Sequence, residues 1–185
     1  MLYPNPLKLG VSVQRLFSPD VDPVAVETIA GGFPSDPTAI ERAVLKEIPY
    51  RYDWEVYSMP WYFPTVEEIM KNGQGDCKAR ALVLASILEA KNIPYRINCS
   101  PIHVWVEYQS KAETSLENPR VKFYQEDPKT GERQFQFPRI PLREVVDSFR
   151  DGFWDPMPDG RKALLLFGLV ALIGARLTWG KKKAV

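Results

Sequence analysis

The chain has 185 residues with 45% hydrophobic and 25% charged side chains, the composition of a globular protein of about one domain. Its two cysteines exclude a disulfide framework, and its single histidine excludes a metal site built from several histidines. Residues 161–185 carry six basic and no acidic side chains, which leaves 18 basic and 23 acidic side chains, a net charge of −5, in the rest. A body of that charge has no overall attraction for nucleic acid, so we expect no nucleic-acid partner.

The first half of the chain reads as a series of helices. Residues 1–37 are rich in proline and glycine, which predicts an irregular segment with at most a short helix near 24–30. Thr38 caps a predicted helix over 38–47, and Thr65 caps a shorter helix that stops at Gly73. The run that follows Asp76, CKARALVLASILEAK, is apolar around most of the helix circumference. We therefore expect it to be a buried helix at the centre of the fold.

The second half reads as strands. Strand-like runs cover 95–99, 103–108 and 121–125, with a fourth over 134–137. The polar stretch QSKAETSLENP predicts a hairpin loop between the second and third strands, and a short helix, LREVVDSF, follows Pro141. Helices first and an antiparallel sheet after them is the order of an α+β fold, with the central helix packed on the sheet.

The sequence of the C-terminal region predicts a helix that spans a membrane. Residues 163–179, ALLLFGLVALIGARLTW, have the length of a short transmembrane helix. Arg176 near its end can extend to the lipid headgroups, and Trp179 suits the interface. The sequence predicts a linker over 151–162, a transmembrane helix over 163–179 and a basic tail over 180–185, with a buried C-terminal helix as the alternative.

This helix would make the chain a single-pass membrane protein, with the membrane as a partner that it binds through its C-terminal helix. The N-terminus lacks the apolar stretch of a secretory signal, which favours a cytosolic domain. The three lysines at 181–183 point the other way, because positive charge prefers the cytoplasmic side and would leave the domain outside. The sequence leaves the topology open.

Cys77 is the first candidate for chemistry, since it stands where the central helix begins. A thiol at a helix N-terminus lies at the positive end of the helix dipole, which favours the nucleophilic thiolate. Free N–H groups of the first turn can also face an oxyanion. The alternative is that Cys77 is a small buried hydrophobic residue, as free cysteines often are.

His103 and Asp127 are the candidate partners of Cys77. His103 opens the HVWVEY strand and can reach the start of the central helix, where its imidazole would accept the thiol proton. Asp127 would orient the imidazole. Along the third strand it shares a face with Val121 and Phe123, whereas Glu126 lies on the other face. Asp127 also fits an ordinary turn before Pro128.

These segments resemble the transglutaminase-like superfamily. The resemblance runs from VEEIMKNGQGDCKARALVLASILEAKNIPYRI through HVWVEY to the EDP of 126–128, and it covers about residues 38–128. It implies a papain-like core over 38–150 with the catalytic triad Cys77, His103 and Asp127. The chain departs from the family pattern in its long loop after His103 and in the lack of a tryptophan opening the acid strand.

The expected function is acyl transfer on an amide of a protein or peptide, through a Cys77 thioester. Water as the acceptor makes a peptidase or amidase, the preferred reading, and an amine makes a transglutaminase. A non-catalytic interaction module of the same fold is the rival from another class. A zinc site from Cys77, Cys99 and His103 has no supporting spacing, so no metal or cofactor is expected. The sequence does not indicate an oligomeric state.

Overall fold

The computed structural model describes residues 3–126, 133–135 and 137–182. Its helices are α1 (Pro6–Phe17), α2 (Glu27–Ala30), α3 (Pro37–Glu47), α4 (Asp53–Tyr57), α5 (Val66–Asn72), α6 (Cys77–Ala90), α7 (Leu142–Phe149) and α8 (Asp159–Lys182). Its strands are β1 (Tyr95–Cys99), β2 (Val104–Tyr108), β3 (Tyr124–Glu126) and β4 (Arg133–Phe135). The predicted α+β class is confirmed.

The N-terminal segment, expected to be irregular, begins with the 12-residue helix α1. Asn5 caps it, because its Oδ1 accepts hydrogen bonds from the N–H groups of Leu7 and Lys8 at 3.0 and 3.4 Å. Pro6 stands in the first turn, where a proline costs no intrahelical hydrogen bond. The helix is docked, since buried Ser12 accepts a hydrogen bond from the Phe63 N–H at 3.1 Å.

Helix α6 lies at the centre of the fold, as predicted. It packs against α2, α3, α5, β1 and β2. Ala79 and every residue from Ala81 to Leu88 are buried, so the helix has no solvent face along that stretch. Burial of aliphatic side chains on this scale is the main stabilising contribution to a small domain.

The strands form two separate antiparallel pairs, and not the single sheet that the sequence predicted. β1 pairs with β2 in a register that sets Tyr95 opposite Tyr108 and Cys99 opposite Val104. β3 pairs with β4. The third strand starts at Tyr124 and not at Val121, because a 3₁₀ turn occupies Pro119–Val121. β2 and β3 therefore form no hairpin.

The predicted transmembrane helix over 163–179 is wrong, and so is the single-pass membrane localisation. Among the residues that the structure describes, none of the helices combines the length and apolar character that crossing a bilayer requires. The physical reason lies in the composition of α8. It opens with the charged residues Asp159, Arg161 and Lys162, and Arg176 interrupts an apolar run already shorter than the roughly 20 residues of an ordinary span.

The segment expected to be a linker over 151–162 contacts the domain. A π-helical turn covers Arg150–Trp154, and α8 begins at Asp159. The Trp54 indole donates a hydrogen bond to the Phe153 carbonyl at 3.1 Å. This contact joins the segment to α4, on the N-terminal half of the chain.

Candidate active site

Cys77 is the first residue of α6, and its side chain is half-buried. Asp76 caps the helix, with Oδ1 accepting hydrogen bonds from the N–H groups of Lys78 at 3.0 Å and Ala79 at 3.4 Å. The cap therefore occupies two of the first-turn N–H groups that were expected to face an oxyanion. The N–H of Cys77 itself is the first-turn donor that Asp76 leaves open.

The backbone before Cys77 is held in place by a parallel bridge between Tyr50 and Gly75. The Gly75 N–H donates to the Pro49 carbonyl at 3.1 Å, and the Arg51 N–H donates to the Gly75 carbonyl at 3.0 Å. A Cβ at Gly75 would lie 2.4 Å from the Cβ of Ala79, so only glycine fits here. The nucleophile candidate thus follows a fixed segment.

His103 lies in the connection between β1 and β2. Ser100 shapes this turn, since its N–H donates to the His103 carbonyl at 2.8 Å and its Oγ accepts from the His103 N–H at 3.0 Å. The imidazole stacks on Trp105, with ring centroids 5.9 Å apart and planes 11° apart. Trp105 is 4% exposed, so it shields one face of the imidazole from water.

The structure brings Cys77 and His103 to the same place, where they lie on the wall of one small cavity. This cavity of about 100 Å³ lies between α3, α6 and β2. Burial by itself would lower the pKa of His103, but the contacts with Cys77 and Glu117 outweigh it and raise the pKa to about 9. The imidazolium form of His103 is therefore favoured at neutral pH.

Glu117 is the carboxylate at His103. Its Oε1 lies 2.8 Å from the Nε2 of His103, which leaves Nδ1 as the ring nitrogen that can exchange a proton with the thiol. Burial alone would raise the pKa of Glu117, but His103 and Lys111 lower it below the usual range of a carboxyl. Glu117 is therefore ionised and stabilises the imidazolium.

Asp127, the acid that the sequence suggested, lies outside the described residues. Sequence reasoning missed Glu117 because it sought the acid on a strand face, whereas Glu117 lies in the irregular loop after β2. Its local signal is a turn, in which the Glu117 N–H donates to Thr114 Oγ1 at 3.1 Å. Such a turn is common at surfaces and does not by itself indicate a catalytic group.

A buried ionic cluster lies behind the nucleophile. The Lys78 ammonium is 2.9 Å from Asp53 Oδ2 and also contacts Asp76 Oδ2. Asp53 accepts a further hydrogen bond from the Tyr62 N–H at 2.7 Å. Burial raises the pKa of Asp53, whereas Asp76 and Asp53 together overcome burial and raise the pKa of Lys78. The cluster joins the start of α6 to α4.

Cys99 belongs to a different surface. It lines a groove of about 1110 Å³ bounded by α1, β1 and the segment at Phe123, which does not include Cys77. Burial raises the pKa of the Cys99 thiol, which makes it less reactive. Within residues 3–126, 133–135 and 137–182, no three His, Cys, Asp or Glu side chains are grouped as ligands for a metal ion.

No family model, curated protein or solved structure matches this chain. The resemblance to the transglutaminase-like superfamily therefore stays a prediction from sequence motifs, and any argument for function depends on the geometry of Cys77, His103 and Glu117.

Proposed function

We propose that the protein is a thiol acyl-transfer enzyme of the transglutaminase-like kind that its motifs resemble, with Cys77 as nucleophile, His103 as general acid and base, and Glu117 orienting the imidazole. The substrate is an amide of a protein or peptide, and water is the acceptor. The observation that carries the proposal is that Cys77, His103 and Glu117 line one small cavity, in which Glu117 Oε1 lies 2.8 Å from His103 Nε2.

In the acylation step the Cys77 thiolate attacks the amide carbonyl carbon, and a C–S bond forms. The carbonyl oxygen becomes an oxyanion, for which the N–H of Cys77 at the helix N-terminus, left open by the Asp76 cap, is a donor. The His103 imidazolium then gives its proton to the amide nitrogen as the C–N bond breaks. The amine leaves and a thioester remains on Cys77.

In the deacylation step the neutral His103 imidazole accepts a proton from water while the hydroxide adds to the thioester carbonyl. The C–S bond breaks, a carboxylic acid is released, and the thiolate and imidazolium are restored. Glu117 stays ionised in both steps and stabilises the imidazolium. The cavity of about 100 Å³ beside Cys77 has room for the attacking water.

The first test is the rate of iodoacetamide alkylation of Cys77 between pH 5 and 10 in the full chain. We expect rapid alkylation at neutral pH, where an ordinary thiol is mostly protonated, because the imidazolium of His103 stabilises the thiolate. His103→Gln removes that cation, and we expect it to slow alkylation at neutral pH by about tenfold or more.

Cys99→Ala is the matched control, since it removes the other thiol of the chain from the surface of the large groove. It should leave the alkylation profile of Cys77 unchanged. Slow alkylation with the same pH profile in wild type and His103→Gln would contradict the proposal and leave the fold as a binding module.

The acceptor is tested with p-nitrophenyl acetate, which acylates activated thiols. We expect one acetyl group on Cys77, located by peptide mass spectrometry, and its release as acetate in water. Added methylamine should leave acetate as the main product. N-methylacetamide as the main product at modest amine concentration would show an amine acceptor instead, which is the transglutaminase reaction.

A further inference from the structure

The Glu117 carboxylate needs support beyond the turn that holds its backbone. It lies between β2 and the 3₁₀ turn at Pro119, in a segment without regular secondary structure. The local hydrogen bonds at Glu117 join its backbone to Thr114, and they do not fix the Glu117 carboxylate. A carboxylate on such a loop is free to rotate unless another group binds it.

Lys111 binds it. Its Nζ lies 2.9 Å from Glu117 Oε2, 2.7 Å from Glu41 Oε1 and 2.9 Å from the Val106 carbonyl. An ammonium has three protons, and these three acceptors use all of them. The side chain of Lys111 is only 10% exposed. The two oxygens of Glu117 are thus divided, with Oε1 on His103 and Oε2 on Lys111.

Lys111 is itself anchored to the body of the protein. Glu41 belongs to α3, and its Oε2 accepts a hydrogen bond from the hydroxyl of Tyr108, at the end of β2, at 2.5 Å. The charged and titratable groups that contact Lys111 are therefore Glu41 from α3, Tyr108 from β2 and Glu117 from the loop. Those that contact His103 are Cys77 from α6 and Glu117.

We infer that Lys111 is a positioning residue that holds the Glu117 carboxylate against His103 and thereby keeps the imidazole aligned with Cys77. The inference rests on the proposed function, because alignment with Cys77 matters only if the thiol reacts. Glu41 of α3 holds the ammonium of Lys111, and Lys111 in turn holds the carboxylate of Glu117. In this way α3 fixes the position of the carboxylate that orients His103.

Removal of Lys111 shifts the pKa of His103 in opposite directions for the two roles that Lys111 can have, which makes the inference testable. If Lys111 acted only as a charge near the site, its loss would strengthen the field of Glu117 on His103 and raise the pKa of His103. If Lys111 positions Glu117, its loss releases the carboxylate from the imidazole and lowers the pKa of His103. A merely structural lysine would leave that pKa unchanged.

The experiment is an NMR titration of His103 in the full-length chain, whose single histidine gives one imidazole signal. In Lys111→Met we expect the pKa of His103 to fall, and the alkylation rate of Cys77 at neutral pH to fall about tenfold. Lys111→Arg keeps a cation with several donors and should retain most of the wild-type value of both. An unchanged or raised pKa in Lys111→Met would overturn the inference.

Lys71→Met is the matched control, since Lys71 is an exposed lysine of α5. It should leave both readouts at wild-type values. Glu41→Gln serves as a second variant if Lys111→Met does not fold, because it weakens the anchor of Lys111 while keeping the ammonium. We expect a smaller fall in the pKa of His103, and no fall in that variant would count against the positioning role.

Failure of the proposed function gives a different result. In that case Cys77 of the wild-type protein alkylates no faster than an ordinary thiol, while the His103 titration still responds to Lys111→Met. If only the positioning role fails, the wild-type thiol is activated and the His103 titration does not fall.

Discussion

The His103 imidazole joins side chains from three parts of the chain. Cys77 comes from the start of α6, Glu117 from the loop after β2, and Trp105 from β2 itself. Each contact acts on a different property of the imidazole. Cys77 and Glu117 favour its charged form, and Trp105 limits its exposure to water. The pKa of His103 therefore depends on the positions of Cys77 and Glu117, so an NMR titration of His103 reports on the geometry of the site.

The identity of the acid is decided by comparing Glu117→Gln with Asp127→Asn. We expect Glu117→Gln to lower the pKa of His103 and to slow the alkylation of Cys77 at neutral pH by about tenfold, because the imidazolium loses its carboxylate. Asp127→Asn should change neither, as measured by NMR titration and by alkylation. The reverse pattern would restore Asp127 as the orienting residue.

The residues of the site were predictable to different degrees. Cys77 follows from its place at a capped helix start, and His103 from its place at the opening of a strand and from the resemblance. Both are local patterns. Glu117 has no such pattern, because its role arises from a loop that folds back over the hairpin and meets α3 through Lys111. Contacts of that kind depend on tertiary packing and leave no periodicity in the sequence.

At the scale of elements, the start of α6 depends on a close approach between Gly75 and Ala79. Gly75→Ala would place a Cβ 2.4 Å from that of Ala79, which the buried backbone cannot relieve without moving. We expect a loss of about 1–3 kcal/mol in the free energy of unfolding, measured by urea denaturation. Alkylation of Cys77 should slow as well, because its segment is displaced.

Gly10→Ala provides the matched control, because Gly10 lies within α1 and a Cβ there meets nothing within 4 Å. Alanine is the better helix former, so we expect this variant to be more stable by about 0.5–1 kcal/mol. A Gly75→Ala protein as stable as wild type would show that the start of α6 tolerates displacement.

The elements were predicted best where caps and stops are explicit. Thr65 and Gly73 bound α5 as expected, with Thr65 Oγ1 accepting from the Glu68 N–H and Gly73 in the left-handed region at φ 62°. Helix α1 was missed because residues 1–37 were judged by their overall proline and glycine content, whereas the proline of α1 stands in its first turn, where a helix tolerates it. The predicted single sheet was wrong, since the described strands form two separate pairs. Strand pairing depends on partners distant in sequence, which local patterns do not identify.

At the scale of the whole molecule, the pKa of His103 predicts how stability changes with pH. Its folded value of about 9 exceeds the ordinary value of 6.5, so the folded protein binds the proton more tightly than the unfolded chain. The resulting stabilisation is fully present below pH 6.5 and is lost as the pH rises through about 9. We expect a loss of about 3 kcal/mol from this group.

Urea denaturation at pH 6, 8 and 10 measures this loss. His103→Gln cannot bind the proton and should flatten the part of the curve between pH 6.5 and 9. An equally steep fall in His103→Gln would assign the loss to other groups, such as the buried cluster around Lys78.

The candidate active site is also local along the chain, and this affects how it forms. Cys77, His103 and Glu117 lie on one continuous stretch from α6 through the β1 and β2 hairpin to the following loop, and His103 and Glu117 are only 14 positions apart. Closing loops of this length costs little chain entropy. A topology dominated by such short-range contacts folds quickly. We therefore expect Cys77 and His103 to meet once the hairpin packs on α6.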